Sequence, residues 1–480
     1  MKRYQMYVDG KWIDAKNGKI DTVISPSTEE VVAEIQDGDA LDADHVLSVA
    51  KRAQSEWKRT TARYRAELMR KFAQEIRNNR ERLAELLVTE QGKLLRVALG
   101  EVDVAASFIE YACDWARQMD GDIVQSDNED EHIWIQKIPR GVVVAITAWN
   151  FPFALAGRKI GPALVAGNTI VVKPTSETPL ATLELGYIAE KVGIPAGVLN
   201  IVTGGGASLG GALTGHKYTN MVTMTGSTPV GQQIIKSTAN NMAHVQLELG
   251  GKAPFIVMED ADLEQAAAAA LHSRFDNCGQ VCTCNERMYV HASVYDQFME
   301  IFMAKVKALK VGNPMDAESD MGPKVNKREL EHMVELVEQA KKEGATVLFG
   351  GNRITGGEFD KGFWFEPTIL TDVTQDMTIV HEEAFGPILP VVKFATFEEV
   401  IGYANDSEYG LATMICTKNM KYVYRLTHEL ESGEIYVNRG HGEQHQGFHN
   451  GYKLSGTGGE DGKYGFEQYL EKKTFYVNYA

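Results

Sequence analysis

The hydrophobic and polar positions of this chain change period along its length. Up to residue 36, short alternating runs predict strands, with a tight hairpin turn at Asp9-Gly10. From Ala43 to about Gln118, apolar residues recur at three- and four-residue spacing among charged ones, which predicts helices. Because this helical stretch precedes every parallel-sheet signal, we expect it to cover a sheet.

From residue 142 onward, apolar strand runs alternate with helical segments. The first is Val142-Val143-Val144-Ala145-Ile146, and a later helix is expected to begin with Thr178 as its N-cap and to stop at Gly193. Alternation of this kind predicts an α/β fold with two doubly wound, Rossmann-like domains, whose ligands lie at the carboxyl ends of the strands. We expect residues 1–119 and 140–249 to form the first domain and residues 250–455 the second.

Two further apolar segments predict strands outside these domains, at residues 132–138 and 474–479. They give a small β extension, which we assign to residues 120–139 and 466–480. An isolated apolar strand is an unpaired edge that favours pairing. The sequence by itself leaves open whether such a strand completes a sheet within one subunit or joins two subunits.

Length, charge and cysteine content exclude several classes of protein for this chain. A chain of 480 residues exceeds the roughly 250–300 residues at which one core stops growing. The net charge of −16 argues against a nucleic-acid or anionic-membrane surface, which needs clustered Lys and Arg. Five cysteines, an odd number, fit a reducing compartment. No apolar run suits a signal peptide or a membrane span, so we expect a cytoplasmic protein without a membrane partner.

Three of the five cysteines lie within seven residues, at Cys278, Cys282 and Cys284, between an expected helix and an expected strand. A thiol on such a glycine-containing bend is a candidate nucleophile. Small buried side chains are the ordinary alternative. A metal site is disfavoured because no fourth ligand lies at a familiar zinc spacing, so we expect no metal.

The surrounding motif decides between these alternatives. Asn277-x-Gly279-Gln280-x-Cys282 resembles the active-site signature of the aldehyde dehydrogenase superfamily. The family's other segments occur in the same order along essentially the whole chain: Trp149-Asn150-Phe151-Pro152, Lys173-Pro174, Thr225-Gly226-Ser227-Thr228, Leu247-Glu248-Leu249-Gly250-Gly251-Lys252 and Glu382-Glu383-x-Phe385-Gly386-Pro387.

The resemblance implies a dinucleotide-binding first domain, a catalytic second domain and three catalytic residues. Cys282 would attack an aldehyde to give a thiohemiacetal, whose oxyanion is held by the Asn150 amide and the Cys282 backbone N–H. Hydride transfer would leave a thioester that water hydrolyses, with Glu248 as base. Without the family, Glu248 would be read as a surface strand residue.

The resemblance also implies NAD or NADP as cofactor, although the usual G-x-G-x-x-G fingerprint is absent. Where the family commonly has Lys-Pro-x-Glu, this chain has Lys173-Pro174-Thr175-Ser176. An uncharged serine does not repel a 2′-phosphate, so we expect NADP to be tolerated. The expected cofactor-binding residues are Ile146, Trp149, Lys173, Ser176, Gly206, Gly226, Ser227, Glu383 and Phe385.

The C-terminal string Gln446-Gly447-Phe448-His449-Asn450-Gly451 resembles the lactaldehyde/glycolaldehyde dehydrogenase branch. It implies a small hydroxylated aldehyde as substrate, bound by Arg158, Thr283, Glu443 and His449, because hydrogen bonds to a hydroxyl discriminate well. Arg158 and Ser176 also resemble the succinate-semialdehyde branch, which remains the enzymatic alternative. A catalytically inactive structural or ligand-binding homologue is the non-enzymatic one. Family members pair their extension strands across subunits, so we expect a homo-oligomer, either a dimer or a tetramer.

Overall fold

Fifteen α-helices lie in residues 2–480, the part of the chain that the computed structural model describes. They are α1 (Ala40–Trp57), α2 (Ala62–Asn78), α3 (Arg80–Gln91), α4 (Leu95–Asp114), α5 (Pro152–Ala166), α6 (Leu180–Val192), α7 (Gly211–Thr214), α8 (Thr228–Thr238), α9 (Leu263–Phe275), α10 (Tyr295–Lys307), α11 (Lys327–Glu343), α12 (Thr378–His381), α13 (Phe397–Asn405), α14 (Met420–Glu429) and α15 (Gly462–Glu467).

The strands connect these helices in the alternation that the sequence predicts. They are β1 (Lys2–Arg3), β2 (Met6–Val8), β3 (Lys11–Ile13), β4 (Ile20–Ile24), β5 (Val31–Gln36), β6 (Asp122–Gln125), β7 (Glu131–Pro139), β8 (Val142–Ile146), β9 (Thr169–Lys173), β10 (Leu199–Ile201), β11 (Met221–Thr225), β12 (His244–Glu248), β13 (Ala253–Val257), β14 (Asn285–His291), β15 (Thr346–Phe349), β16 (Thr368–Thr371), β17 (Ile388–Phe394), β18 (Tyr409–Gly410), β19 (Ala412–Cys416), β20 (Glu434–Val437), β21 (Tyr452–Lys453), β22 (Gly456–Thr457) and β23 (Leu470–Asn478).

Local rules explain the turn between β2 and β3 and the end of helix α6, but not its start. The β2–β3 hairpin turns at Asp9 (φ 55°) and Gly10 (φ 71°), the left-handed pair that a two-residue hairpin requires. Helix α6 ends at Gly193, as expected, but its start differs from the prediction. It begins at Leu180, and the carboxylate of Glu90 in α3 accepts its first backbone N–H groups. The cap therefore comes from another helix instead of Thr178.

The first large sheet has eight strands in the order β22-β12-β11-β8-β9-β10-β2-β3. The five central strands, from β12 to β10, are parallel. Alternate residues of β8 face opposite cores: Val143 packs among α2–α6, whereas Val144 packs against α1, α7 and α8. Chain order reverses between β8 and β11, and such a reversal opens a crevice at the carboxyl ends of the strands.

The second large sheet has seven strands in the order β15-β16-β17-β14-β13-β19-β20, of which only the β15–β16 pair is antiparallel. It is also covered on both faces. Phe255 of β13 packs with α9 and α10, and its neighbour Ile256 packs with α11, α12 and α13. The predicted pair of doubly wound, Rossmann-like α/β domains is confirmed.

The third sheet joins the two apolar segments noted above. β23 pairs antiparallel with β7 along nine residues, and β6 completes the sheet. Ile123 on the edge strand β6 is 83% exposed. The domain boundaries stay a prediction; β22, from the unassigned residues after 455, adds to the first sheet. Within residues 2–480, no helix combines the length and apolarity that crossing a bilayer requires.

Candidate active site

A cavity of about 990 Å³ is lined by residues from both large domains. It brings together all the expected site residues except Glu248, which lies against His449 at its edge. The expected residues that line it are Ile146, Trp149, Asn150, Arg158, Lys173, Ser176, Gly206, Gly226, Ser227, Cys282, Thr283, Glu383, Phe385, Glu443 and His449.

The two sheets supply these residues from opposite ends of their strands. Ile146, Lys173 and Glu248 are the last residues of β8, β9 and β12. In contrast, Cys282 lies just before β14, and Phe385 lies just before β17. The cavity therefore lies between the carboxyl edge of the first sheet and the amino edge of the second.

The loop that carries Cys282 has an unusual backbone. After α9 ends, Asn277 (φ 46°), Cys278 (φ 60°) and Gly279 (φ 70°) are all left-handed. The buried guanidinium of Arg274 holds this turn by donating to the carbonyl oxygens of Gly279 at 2.6 Å and Asn285 at 2.8 Å. Such strain persists only where the surroundings fix it, which is common at functional sites.

Burial separates the three clustered cysteines. Cys278 and Cys284 are 1% and 0% exposed, and burial raises the pKa of their thiols to about 11 and about 12. Cys282 is partly exposed and lines the cavity. Burial raises its pKa as well, although the nearby His449 acts in the opposite direction. Cys282 is therefore the one thiol of the three that a ligand in the cavity reaches.

Hydrogen bonds hold both the backbone and the side chain of Asn150. Its backbone oxygen accepts hydrogen bonds from Lys93 Nζ at 2.7 Å and from Asn277 Nδ2 at 3.1 Å. Its side-chain Nδ2 donates to the Gln280 carbonyl oxygen at 3.0 Å. An amide nitrogen carries two hydrogens, so the second remains for a ligand. Lys93 is itself buried and paired with Glu101.

Glu248 is a buried carboxylate without a hydrogen-bond partner for either oxygen in residues 2–480. Burial raises its pKa to about 8, and the adjacent His449 acts against this rise. His449 Nε2 lies 3.4 Å from Glu248 Oε2. A buried acid with unsatisfied oxygens and a raised pKa suits general-base work on a water molecule.

The cofactor half of the cavity has the features that a dinucleotide needs. Lys173 is buried, and burial lowers its pKa to about 8. Among residues 2–480, its Nζ makes one long hydrogen bond, 3.4 Å to the Pro174 carbonyl oxygen. An ammonium group has three donors, so this one can bind ribose or phosphate oxygens. Helix α8 begins after Ser227 without a side-chain cap, which leaves its N–H groups available to an anion.

In the same half of the cavity, the backbone passes close to the side chain of Glu383. A Cβ atom added to Gly250 would lie 2.6 Å from Glu383 Oε2, so only glycine allows that carboxylate its place. Glu383 Oε1 accepts the Gly251 backbone N–H at 2.7 Å. The Trp149 and Phe385 rings meet edge to face, with centroids 5.2 Å apart. The residues in this half therefore fit a dinucleotide.

Comparison with known proteins decides the family. The family model described as Aldehyde dehydrogenase family matches residues 12–475. The chain belongs to the aldehyde dehydrogenase family. It is therefore an NAD(P)-dependent aldehyde dehydrogenase with an α/β fold of Rossmann type.

Three relatives show what this aldehyde dehydrogenase is similar to. A 3,6-anhydro-alpha-L-galactose dehydrogenase of Vibrio sp. (strain EJY3) is 88% identical over 479 residues, 100% of each chain. A lactaldehyde dehydrogenase of Escherichia coli (strain K12) is 44% identical, over 99% of this chain and 98% of its own. A solved structure of 3,6-anhydro-L-galactose dehydrogenase in complex with NADP has a TM-score of 0.98 at 78% identity, covering 99% of this chain and 100% of its own.

Arg158 of this aldehyde dehydrogenase lines the cavity, as expected, but carboxylates surround its guanidinium. Nε donates to Asp461 Oδ1 at 2.9 Å and lies 3.4 Å from Glu460 Oε2, and Nη1 lies 3.3 Å from Glu443. The Phe108 ring lies 5.0 Å from Arg158 Cζ. Three acids thus compete for this charge, so Arg158 does not offer a free cation to a substrate carboxylate.

Sequence reasoning missed several groups of this aldehyde dehydrogenase that hold the predicted residues. Lys93 bonds to Asn150, Asp461 and Glu460 pair with Arg158, and Glu434 lies 3.0 Å from His449 Nδ1. None of them lies in the motifs that identified the site. Their only signal in the sequence is charge, and charged residues are usually exposed.

Proposed function

We propose that this chain oxidises 3,6-anhydro-L-galactose to its aldonic acid, with NADP or NAD. The 88% identity over the full chain to the Vibrio 3,6-anhydro-alpha-L-galactose dehydrogenase is the observation that carries this proposal. It replaces lactaldehyde or glycolaldehyde as the expected substrate. This sugar is still a hydroxylated aldehyde, the substrate class that the C-terminal string around His449 predicts.

The charges of the substrate half support a neutral polyhydroxylated substrate. This sugar carries an aldehyde, an internal ether bridge and three hydroxyl groups, and no charge. Arg158 is engaged by Asp461, Glu460 and Glu443, so a carboxylate beside it would face uncompensated negative charge. Hydroxyl groups instead find the donors and acceptors of Glu443 and His449, which lie in the same cavity. This distribution of charge disfavours succinate semialdehyde.

We assign the first chemical step to Cys282. Its sulfur, as the thiolate, attacks the aldehyde carbon to form a C–S bond, and the carbonyl oxygen takes the π electron pair to form a thiohemiacetal oxyanion. The free N–H of the Asn150 amide and the Cys282 backbone N–H stabilise that charge. Lys93 and Asn277 fix the Asn150 backbone, which orients the amide before the substrate arrives.

When bound, a dinucleotide would supply the acceptor for the hydride that this adduct loses as it becomes a thioester. Lys173, Ser176 and Ser227 would hold its ribose and phosphates, and Glu383 and Phe385 its nicotinamide end. Glu248 then takes a proton from the water that attacks the thioester. Because its pKa is raised to about 8, Glu248 gains the deprotonated form that acts as base as pH rises through that value.

The choice between NADP and NAD depends on residue 176. Ser176 lines the cavity and carries no charge, and Lys173 lies three residues before it with unused donors. Glu177, the acid next to it, accepts a hydrogen bond from the Thr175 hydroxyl. We expect NADP to be used with a kcat/KM at least a tenth of that for NAD.

A panel of aldehydes tests the substrate. We expect kcat/KM for 3,6-anhydro-L-galactose to exceed the values for L-lactaldehyde, glycolaldehyde and succinate semialdehyde by about tenfold or more, a margin that hydrogen bonds to several hydroxyls provide. L-lactaldehyde is the second candidate, because the 44% identical Escherichia coli relative is a lactaldehyde dehydrogenase. A higher kcat/KM for L-lactaldehyde than for the sugar would reverse the order.

We also propose that the chain forms a homo-oligomer through its third sheet. β6 and β23 are both edge strands, and Ile123 and Tyr476 on them are 83% and 69% exposed. Exposed apolar edges of this kind favour pairing with another chain. Light scattering on the purified protein should give the mass of a dimer or a tetramer, and Ile123→Lys should lower it; an unchanged mass for the variant would exclude this edge.

A further inference from the structure

Glu286, the second residue of β14, is a buried carboxylate that accepts three hydrogen bonds and pairs with an arginine. Its side chain lies outside the set of residues that line the cavity, and the residue is 1% exposed. Oε2 accepts a hydrogen bond from Lys252 Nζ at 2.8 Å and another from the Ala384 backbone N–H at 2.9 Å. Oε1 accepts the Phe385 backbone N–H at 3.0 Å and lies 2.8 Å from Arg274 Nη1. The reaction described above gives Glu286 no role.

Two of these hydrogen bonds come from the loop that carries Glu383 and Phe385, the residues expected at the nicotinamide end of the cofactor. Phe385 has a left-handed backbone (φ 46°), which is rare for a bulky residue and persists only where the surroundings fix it. On the opposite side, Lys252 follows Gly251, whose N–H donates to Glu383 Oε1 at 2.7 Å. The carboxylate of Glu286 therefore holds this loop against the segment that follows β12.

Arg274 connects the same carboxylate to the turn that carries Cys282. While Nη1 lies 2.8 Å from Glu286 Oε1, the guanidinium also donates to the carbonyl oxygens of Gly279 and Asn285, one on each side of the nucleophile. Arg274 is 0% exposed, so its charge needs a buried counter-ion. Glu286 thus supports both the cofactor loop and the nucleophile turn.

The charges of this buried group explain why a carboxylate stands at its centre. Burial raises the pKa of Glu286, but Arg274 and Lys252 lower it by more, so that it lies at about 2. Glu286 is therefore ionised at neutral pH, and both of its oxygens accept hydrogen bonds. A glutamine in its place has one acceptor oxygen and an NH₂ group that only donates, so it cannot accept from every donor around it.

We propose that Glu286 is a positioning residue for hydride transfer, which fixes the nicotinamide end of the cofactor site relative to the carbon bound to Cys282. In that step the C–H bond of the thiohemiacetal breaks and its electron pair leaves as hydride to the bound dinucleotide. A lone pair of the oxyanion then forms the carbonyl of the thioester. A displacement of about 1 Å between the reacting atoms can cost about 10²-fold in rate. The inference rests on the roles proposed above for Cys282 and Phe385, but on no particular aldehyde.

Hydrogen exchange of the full-length enzyme without dinucleotide tests the contacts themselves. In Glu286→Gln, the amide hydrogens of Ala384 and Phe385 should exchange about tenfold or more faster, because each loses its place on a charged acceptor. Mass spectrometry of the peptide that contains both residues gives the rate. Exchange at the wild-type rate would show that the carboxylate does not hold the loop, and it would overturn the proposal.

Single-turnover kinetics test the hydride step, with saturating NADP and with enzyme in excess over aldehyde. Glu286→Gln should lower the limiting rate constant of NADPH formation by about tenfold or more. Deuterium in place of the aldehyde hydrogen should lower it further. If Glu286 only stabilises the fold, the limiting rate constant will match the wild type, because unfolded molecules do not contribute to it. That result, or a slow step without an isotope effect, would contradict the proposal.

Glu184→Gln is the matched control. Glu184 in α6 is 3% exposed and, like Glu286, pairs with one lysine and one arginine, Lys2 at 3.2 Å and Arg82 at 2.7 Å. It also lies outside the set of residues that line the cavity. Its exchange at residues 384–385 and its single-turnover rate should stay within about twofold of wild type, as expected of a remote site.

A double variant decides the question if Glu286→Gln does not fold. Lys252→Met together with Glu286→Gln removes one charge of each sign, so the buried group keeps its net charge. The glutamine still cannot accept from both backbone N–H groups of the loop, and hydride transfer should remain slow by about tenfold or more. A wild-type rate in this variant would show that the carboxylate balances charge without positioning the loop.

Failure of this inference and failure of the proposed function give different results. Substantial NADPH formation by Cys282→Ala would remove the nucleophile on which the proposed function depends. A wild-type rate in both Glu286 variants, with Cys282→Ala inactive, would remove the positioning role alone. An error in the assignment of the sugar changes neither result, because any aldehyde that the wild-type enzyme oxidises serves in these assays.

Discussion

The two parallel sheets face one cavity with opposite ends. The first presents the carboxyl ends of β8, β9 and β11, where helices α5, α6 and α8 begin after short loops. The second presents the amino ends of β14 and β17, and the helix before the nucleophile, α9, ends at Phe275. Helix N-termini carry partial positive charge and C-termini partial negative charge. The first edge is therefore suited to an anion, and the second is not.

This difference explains how each half of the cavity would stabilise negative charge. The phosphates of a dinucleotide would meet uncapped backbone N–H groups at α8 and the buried amine of Lys173. A thiolate at Cys282 follows the unfavourable end of α9, so its stabilisation must come from side chains. Against the effect of burial, His449 and Arg158 lower the pKa of Cys282, and Arg158 and Glu248 belong to the first sheet side of the cavity. The candidate catalytic residues thus come from both sides of the cavity.

Removal of the Cys282 sulfur should have the largest effect, and it should affect turnover without affecting the binding of NADP. Cys282→Ala should lower turnover by about 10⁴-fold or more, because no other nucleophile can form the covalent adduct. Binding of NADP, followed by fluorescence quenching, should be unchanged, because the phosphates contact the first sheet. Cys284→Ala is the matched control and should retain activity, since that thiol is buried. Substantial NADPH formation by the Cys282 variant would refute the covalent mechanism.

Glu248→Gln should produce the next largest effect. Steady-state turnover should fall by about 10²–10⁴-fold, the usual contribution of a general base. The first turnover should still release NADPH, because the substitution affects only hydrolysis of the thioester. Stopped-flow absorbance should show a burst of one NADPH per site followed by a slow phase.

The same assay gives the sign of the pH dependence. The slow hydrolytic phase of the wild-type enzyme should accelerate as pH rises through about 8, where Glu248 loses its proton. That acceleration should disappear in the glutamine variant, which does not titrate. Loss of the burst itself would show that Glu248 acts before hydride transfer.

Asn150→Ala should slow catalysis, although it removes no group that forms or breaks a covalent bond. Loss of one oxyanion donor typically costs about 10²–10³ in rate. The loss should fall on kcat, with little change in the binding of NADP, because the amide contacts the adduct alone. Asn150→Asp should be at least as slow, since a carboxylate repels the oxyanion. A change confined to KM would assign Asn150 to substrate binding.

Period and motif predicted the order of elements and the residues that line the cavity. Cys282, Asn150 and Lys173 were found because their short motifs resemble those of the aldehyde dehydrogenase family. Three features were missed because their partners are remote in sequence. Glu90 caps α6 across 90 residues, Glu434 meets His449 across 15, and Arg158 meets Asp461 across 303. Local pattern carries no information about such pairs.

Ser176→Glu should give the smallest effect and concerns the first sheet alone. A carboxylate there should repel the 2′-phosphate of NADP, lower kcat/KM for NADP by about tenfold or more and leave NAD within a few-fold. Lys173 remains to bind the ribose of either dinucleotide, so binding should not be lost.

Ser176→Ala is the matched control. It removes the hydroxyl without adding charge, and it should lower kcat/KM for NADP less than Ser176→Glu does. Iodoacetamide labelling of Cys282 should stay at the wild-type rate in both variants, because residue 176 lies at the end of the cavity that receives the phosphates. An equal loss of kcat/KM with NAD and with NADP would mean that residue 176 affects the site through packing. Residue 176 would then give no evidence that the first sheet edge binds the phosphate and the second carries the nucleophile.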